Sequence, residues 1–128
     1  QIALAEISEQ DEIITGNLDA KRDFVDVRDA ARAFALLAEK GEAGQTYNVC
    51  SGSAVAIQQC LSEMMLRSKK QLSARVDLAR VQKNDVPVQV GSFQKVQKAA
   101  GWNPRIPLNE SLADLLNDWR ERVKVESK

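Results

Sequence analysis

Arg22 is the first side chain in this sequence that invites a chemical reading. It follows a Gly16-Asn17-Leu18-Asp19 turn and opens the alternating stretch Arg22-Asp23-Phe24-Val25-Asp26-Val27. A guanidinium in such a loop-like place can grip a phosphate through two parallel hydrogen bonds. Taken alone, a salt bridge to Asp23 or Asp26 is the simpler reading. A second polar group follows a short strand: Asp77, Arg80, Gln82, Lys83, Asn84 and Asp85. That set suits a polar ligand, although by itself it also describes a solvated loop.

Other chemistries are closed by what the sequence contains. There is no histidine, so Ser-His-Asp and Cys-His catalysis and the commonest zinc sites are excluded. Tyr47 is the one tyrosine, and Ser51 stands four residues on, so no Tyr-x-x-x-Lys proton-transfer pair exists in these residues. No GxGxxG, P-loop or HExxH occurs. Tyr47 reads as a packed ring with a bonded hydroxyl. Cys50 and Cys60 read as buried packing thiols, which suits a reducing, cytoplasmic setting. Lys69 and Lys70, after a helix end, read as solvated cations.

The balance of 18 Lys+Arg against 18 Asp+Glu gives zero formal net charge and argues against a nucleic-acid binder. No apolar run approaches the roughly 20 residues of a membrane-spanning helix, so no membrane partner is expected. The 128 residues suit one domain, 1–128, able to bury roughly two-thirds of its unfolded surface.

The elements that must hold these residues are strands alternating with about five helices, an α/β pattern. Helix is expected over Gln1–Glu9, from Asp26 or Asp29 to Lys40, over Ile57–Arg67, from a Ser92 cap to Gly101, and over Leu108–Val123. Strands are expected at Glu12–Gly16, Thr46–Cys50 and Arg75–Asp77, with an edge or irregular stretch at Val86–Val90 because of Pro87. The second helix should face inward with Ala30, Ala33, Phe34, Leu37 and Ala38, and Gly41 is a candidate left-handed terminator. The last should point Leu112, Leu115, Leu116, Trp119 and Val123 to one side. Few strong strands are too few for a self-sufficient doubly wound sheet, and the first helix has no capping residue before it. The expectation is therefore a piece of a larger α/β protein.

Four stretches in this order carry a family resemblance: Gly16-Asn17-Leu18-Asp19-Ala20-Lys21-Arg22-Asp23-Phe24, Val25 to Phe34, Gln45 to Gly52, and Gly101-Trp102-Asn103-Pro104 through Leu108, Leu112 and Trp119. The chain resembles the C-terminal part of extended short-chain dehydrogenases/reductases acting on nucleotide sugars. The Gly-Asn-Leu-Asp-x-x-Arg-Asp run narrows the likeness to GDP-mannose 4,6-dehydratase and GDP-4-keto-6-deoxy-mannose reductase. The implied fold is a partial Rossmann-like α/β portion with a substrate-binding role.

The resemblance implies that Arg22 holds the diphosphate of a GDP-sugar, and that Arg80, Lys83 and Asp85 lie in the segment contacting diphosphate and ribose. Asp85 matches the acid that binds ribose, while Gln82 stands where the family has arginine and Lys83 where it has proline. Ser92 replaces the family's aspartate, and Ala56 replaces its usual Ser or Thr helix cap. The family's NADP(H) loop and its Tyr-x-x-x-Lys lie upstream of the matched stretch, so no cofactor site and no catalysis are expected of this chain alone. Weak GDP-sugar binding, or none, is expected. The alternative is a standalone or mobile-gene-encoded, non-enzymatic module that self-associates into a homo-oligomer, such as an edge-paired dimer.

Overall fold

The computed structural model describes residues 1–81 and 85–126. Among them are five α-helices and four short strands, a mixed α/β chain as expected: α1 Ile2–Ala5, β1 Glu12–Thr15, β2 Lys21–Asp23, α2 Val27–Lys40, β3 Ala54–Ala56, α3 Ile57–Leu66, β4 Ser73–Val76, α4 Gln94–Ala100 and α5 Leu108–Glu126. The chain divides into two compact units, one from residues 1–20, 56–87 and 109–128, the other from 21–55 and 88–108.

In the first unit, β1 and β4 pair in parallel, with Glu12 opposite Ser73 and Thr15 opposite Val76. The core gathers Ile2, Ala3, Ala5, Ile13, Leu116 and Val123, with Leu61, Met64, Met65 and Leu72 packed against it. An ion pair fastens it. Arg120 donates to Glu6 through Nε at 2.8 Å and Nη2 at 2.6 Å, and Nη2 also donates to the Arg67 carbonyl at 2.7 Å. The Glu6 side chain is 4% exposed, so this pair ties α1 to the end of α3 and to α5 away from water. Lys70 is not simply solvated: its ammonium donates to the carbonyls of Ser8 and Gln10. Those two carbonyls belong to a loop far away in sequence, which helix-dipole reasoning cannot see.

Ala56 is the residue before α3 and makes no side-chain cap. Two distant carbonyls substitute for it, since Ile57 N–H donates to Ala20 and Gln58 N–H to Leu18. Helix starts leave such donors unsatisfied unless something accepts them.

In the second unit, Ala33, Val96, Ala100 and Trp102 form the core, lined by Tyr47, Val49, Leu36, Leu37 and Phe93. Asp26 caps α2, accepting from Arg28 N–H at 2.8 Å. Gly101 ends α4 in the left-handed conformation, φ 70°, the geometry glycine reaches without strain. Trp102 beside it is fully buried and donates from its indole to the Asp29 carbonyl at 2.9 Å.

Several expectations are corrected. Thr46–Cys50 forms no strand among the described residues, although Tyr47 and Val49 still turn inward and Asn48 outward. Alternation marks a half-buried segment, but a strand also needs a ladder partner; the neighbour paired with β2 is β3 instead. Gly41 is extended, at φ −70° and ψ 148°, so it ends α2 without the left-handed turn. Phe34, Leu115 and Trp119 stand 65%, 45% and 47% exposed, because the core meets α2 and α5 off the centre of their apolar faces.

Candidate functional site

In the second unit, β2 ends on Asp23, and its carboxylate collects two loops. Oδ1 accepts from Ser51 N–H at 2.6 Å and Ser51 Oγ–H at 2.7 Å, while Oδ2 accepts from Gly52 N–H at 3.0 Å and Gly91 N–H at 3.1 Å. Burial opposes ionisation of Asp23, but the Ser51 hydroxyl and the three backbone N–H groups outweigh it and hold its carboxyl below the usual range. Residue 91 has to be glycine, since a Cβ there would lie 2.7 Å from the Cys50 sulfur.

The arrangement leaves an open cavity of about 440 Å³ lined by Arg22, Asp23, Asn48, Gln89 and Val90 among others. Arg22 is half-buried at its wall, and its guanidinium donates to the Lys21 carbonyl at 2.9 Å. Asp26, the other carboxylate considered for Arg22, accepts bidentately from Arg28 at 2.9 and 2.8 Å. A cavity of this size, walled by amides and a guanidinium, is dimensioned for a polar small molecule.

The Cys50 thiol on the same wall is pushed up by burial and by the Asp23 charge, and Cys60 by burial. Both are unreactive packing thiols by that measure, in agreement with their reading from sequence. Tyr47 likewise packs in the core, and its hydroxyl accepts from Glu42 N–H at 3.1 Å.

Arg80 and Asp85 belong to the first unit. Asp77 caps the 3₁₀ turn Leu78–Arg80, accepting from Ala79 N–H at 3.0 Å. Arg80 donates to the Ile14 carbonyl at 3.1 Å and lies 3.6 Å from Asp77. Asp85 accepts from the Asn17 side-chain amide at 2.8 Å. Asn17 in turn accepts from Asp19 N–H at 3.0 Å, an Asx turn that presets its side chain. Gly16 sits so close to Arg80 that a Cβ would fall 2.9 Å from its carbonyl oxygen.

The Gly16–Asn17 turn therefore touches both Arg80 and Asp85, whereas Arg22 lines the cavity of the other unit. Lys83, together with Gln82 and Asn84, lies outside the described residues. Sequence reasoning missed Asn17 as the holder of Asp85 and Asp23 as the organiser of the cavity. The signal for Asn17 is a carboxamide directly after Gly16, which shows the local preference but not the distant partner; Asp23 has no such local signal.

Among the described residues there is no Gly-rich strand–turn–helix of the kind that holds a nicotinamide dinucleotide. Such a site needs a strand, a Gly-rich turn and a helix N-terminus in succession. Here β3 runs directly into α3, and the positive-φ glycines 44, 52 and 101 stand singly. Among the described residues no group of three His, Cys, Asp or Glu is placed to hold a metal ion, and no helix is long and apolar enough to cross a membrane.

Comparison with known proteins agrees with this architecture. The profile of the GDP-mannose 4,6 dehydratase family matches residues 1–115. GDP-6-deoxy-D-mannose reductase of Pseudomonas aeruginosa is 35% identical over 111 residues, 87% of this chain and 36% of that protein. GDP-6-deoxy-D-talose 4-dehydrogenase of Aggregatibacter actinomycetemcomitans is 28% identical over 86 residues, 67% of this chain and 29% of that protein. A solved structure of RMD from Pseudomonas aeruginosa, complexed with NADPH, superposes with a TM-score of 0.87 at 32% identity, over 95% of this chain and 40% of that one. The fold is thus that of a portion of the Rossmann-like nucleotide-sugar enzymes. The chain belongs to the GDP-mannose 4,6-dehydratase family, and it spans little more than a third of the length of the reductase it matches.

Proposed function

We propose that this chain is the sugar-nucleotide-binding portion of a nucleotide-sugar dehydratase or reductase and does not catalyse alone. In this reading residues 1–128 act as one substrate-binding portion, and NADP(H) is held by a separate N-terminal part of a longer polypeptide. The observation that carries it is Arg22: the residue of the Gly-Asn-Leu-Asp-x-x-Arg-Asp run lines an open cavity of about 440 Å³. A GDP-sugar diphosphate would take the Arg22 guanidinium. Asp85, Arg80 and Lys83 keep only the ribose and diphosphate roles that the family resemblance implies, apart from this cavity.

Gln82 in place of the family's arginine removes one charge-assisted fork, about 1.5–3 kcal/mol when fully engaged, so affinity should be modest. Two buried free thiols suit a reducing compartment such as the cytoplasm.

Calorimetric titration with GDP and GDP-mannose tests the reading. The expected result is a dissociation constant between micromolar and millimolar, weakened about tenfold or more by Arg22→Ala, the share of one charge-assisted contact. No heat at millimolar ligand, or binding indifferent to Arg22→Ala, would overturn it.

A further inference from the structure

Three stretches of chain wall the cavity beside Arg22: residues 22–23, 47–50 and 89–91. Asp23 belongs to the first and is bonded to the ends of the other two. Its Oδ1 takes the N–H and hydroxyl of Ser51, the residue after Cys50, and its Oδ2 takes the Gly52 and Gly91 N–H groups. A carboxylate has about four lone-pair sites. Four uncharged donors fill them, so Asp23 holds walls rather than ligand.

Both stretches are also anchored without it. Tyr47 and Val49 pack in the core, and β3 pairs with β2 just beyond the first loop. On the other side, Gln89 N–H donates to the Lys21 carbonyl at 3.0 Å. The carboxylate sets how the tips beyond those anchors, Ser51–Gly52 and Gly91, stand to each other. The Cys50 sulfur lies against Gly91 with no space for a Cβ, so a shift of one tip displaces the other. Asn48 and Gln89, which line the cavity, ride on these two stretches.

We infer that Asp23 is a positioning residue: it clamps the two loops to β2 at the spacing that lets one ligand reach Arg22, Asn48 and Gln89 together. The inference rests on the reading of this cavity as a sugar-nucleotide site, and it adds that both loops answer to one carboxylate. Walls held in place beforehand spare the ligand the cost of ordering them. The clamp and the charge of Asp23 have opposite consequences. An anion beside an anion site repels the ligand, so charge alone makes GDP bind more tightly once it is removed. Loss of the clamp makes GDP bind more weakly.

Asp23→Asn in the 128-residue chain tests this, by calorimetry with GDP and by amide hydrogen exchange without ligand. The carboxamide keeps one accepting oxygen, but its NH2 cannot accept, so one set of N–H groups is released. GDP affinity should fall about tenfold, the share of one hydrogen bond to a charged group, while the Val96 and Trp102 amides keep their protection. A merely structural loss would open those core amides too and leave the affinity of the folded chain unchanged. Ser51→Ala removes one hydroxyl bond from the first loop and should speed exchange at Gly91 N–H, on the other, about threefold. Affinity unchanged or tighter in Asp23→Asn would overturn the inference, as would Gly91 exchange indifferent to Ser51→Ala. GDP failing to bind the parent chain would strike the sugar-nucleotide reading; exchange at Gly91, measured without ligand, then decides the clamp by itself.

Discussion

Each unit is fastened by carboxylates withdrawn wholly or partly from water, in different ways. In the first, Glu6 meets a guanidinium: Arg120 grips both its oxygens, and Lys69 N–H adds a bond at 2.9 Å. In the second, Asp23 and Asp29 chiefly accept backbone N–H groups, from residues 51, 52 and 91 and from residues 105 and 106. A charge paired with a charge holds helices together, whereas a charge paired with amides shapes loops. The open cavity lies where loops are shaped, and the ion pair lies where helices converge.

The largest test of this contrast is Glu6→Ala. It leaves Arg120 buried without its partner, and breaking a buried pair from one side costs about 3–5 kcal/mol. Denaturant melts should show that loss, and hydrogen exchange should place it first on the Ile13 and Leu116 amides. Replacing both partners by apolar residues, Glu6→Leu with Arg120→Met, should cost much less; an equal cost would mean the pair itself is strongly stabilising.

Asp29→Ala comes next, at about 2–3 kcal/mol, because the Arg105 and Ile106 N–H groups and the Arg32 guanidinium lose their shared acceptor. Exchange should rise first around Val96 and Trp102. If Glu6→Ala and Asp29→Ala instead open the same amides equally, the two fasteners serve one cooperative unit rather than two.

Acid probes both at once. The Arg120 hydrogen bond, against a smaller opposing effect of burial, lowers the Glu6 pKa; for Asp29, burial is outweighed by the Ile106 and Arg105 N–H groups and Arg32. A lowered folded-state pKa means the stabilisation is complete above the ordinary values, 4.5 for Glu6 and 3.8 for Asp29. It is lost as pH falls through the lower folded values. Thermal midpoints should therefore fall below about pH 4.5, and less steeply in Glu6→Gln than in the parent.

The smallest effect is a gain. Ala56→Ser offers a hydroxyl to Gln59 N–H, and it should add about 0.5–1 kcal/mol, at the low end for a cap, because Ala20 and Leu18 carbonyls already take the two preceding donors. No rise in the melting temperature would mean those carbonyls suffice.

Local features were legible in the sequence. A start of α2 at Asp26 or Asp29, Ala56 before α3, the end of α4 at Gly101 and the buried thiols each follow from a residue and its immediate neighbours, whereas the left-handed turn expected at Gly41 is found at Gly101 instead. The family was legible for a related reason, since the Gly-Asn-Leu-Asp-x-x-Arg-Asp run is contiguous. What stayed hidden depends on partners distant in sequence. Glu6 meets Arg120 across most of the chain, Asp23 gathers Ser51 and Gly91, and Asn17 holds Asp85. Thr46–Cys50 has the composition of a strand, but composition does not supply a ladder. Phe34 has the spacing of a core residue, yet spacing says only that a partner is wanted, not that this chain provides one.

The central claim is that Arg22 and its cavity bind the diphosphate of a sugar nucleotide. Amide chemical-shift mapping of the isotopically labelled chain during GDP titration tests it most directly. The account predicts saturable shifts at Arg22, Asn48 and Gln89, abolished by Arg22→Ala. Saturable shifts that avoid these residues, or none at millimolar GDP, would contradict it.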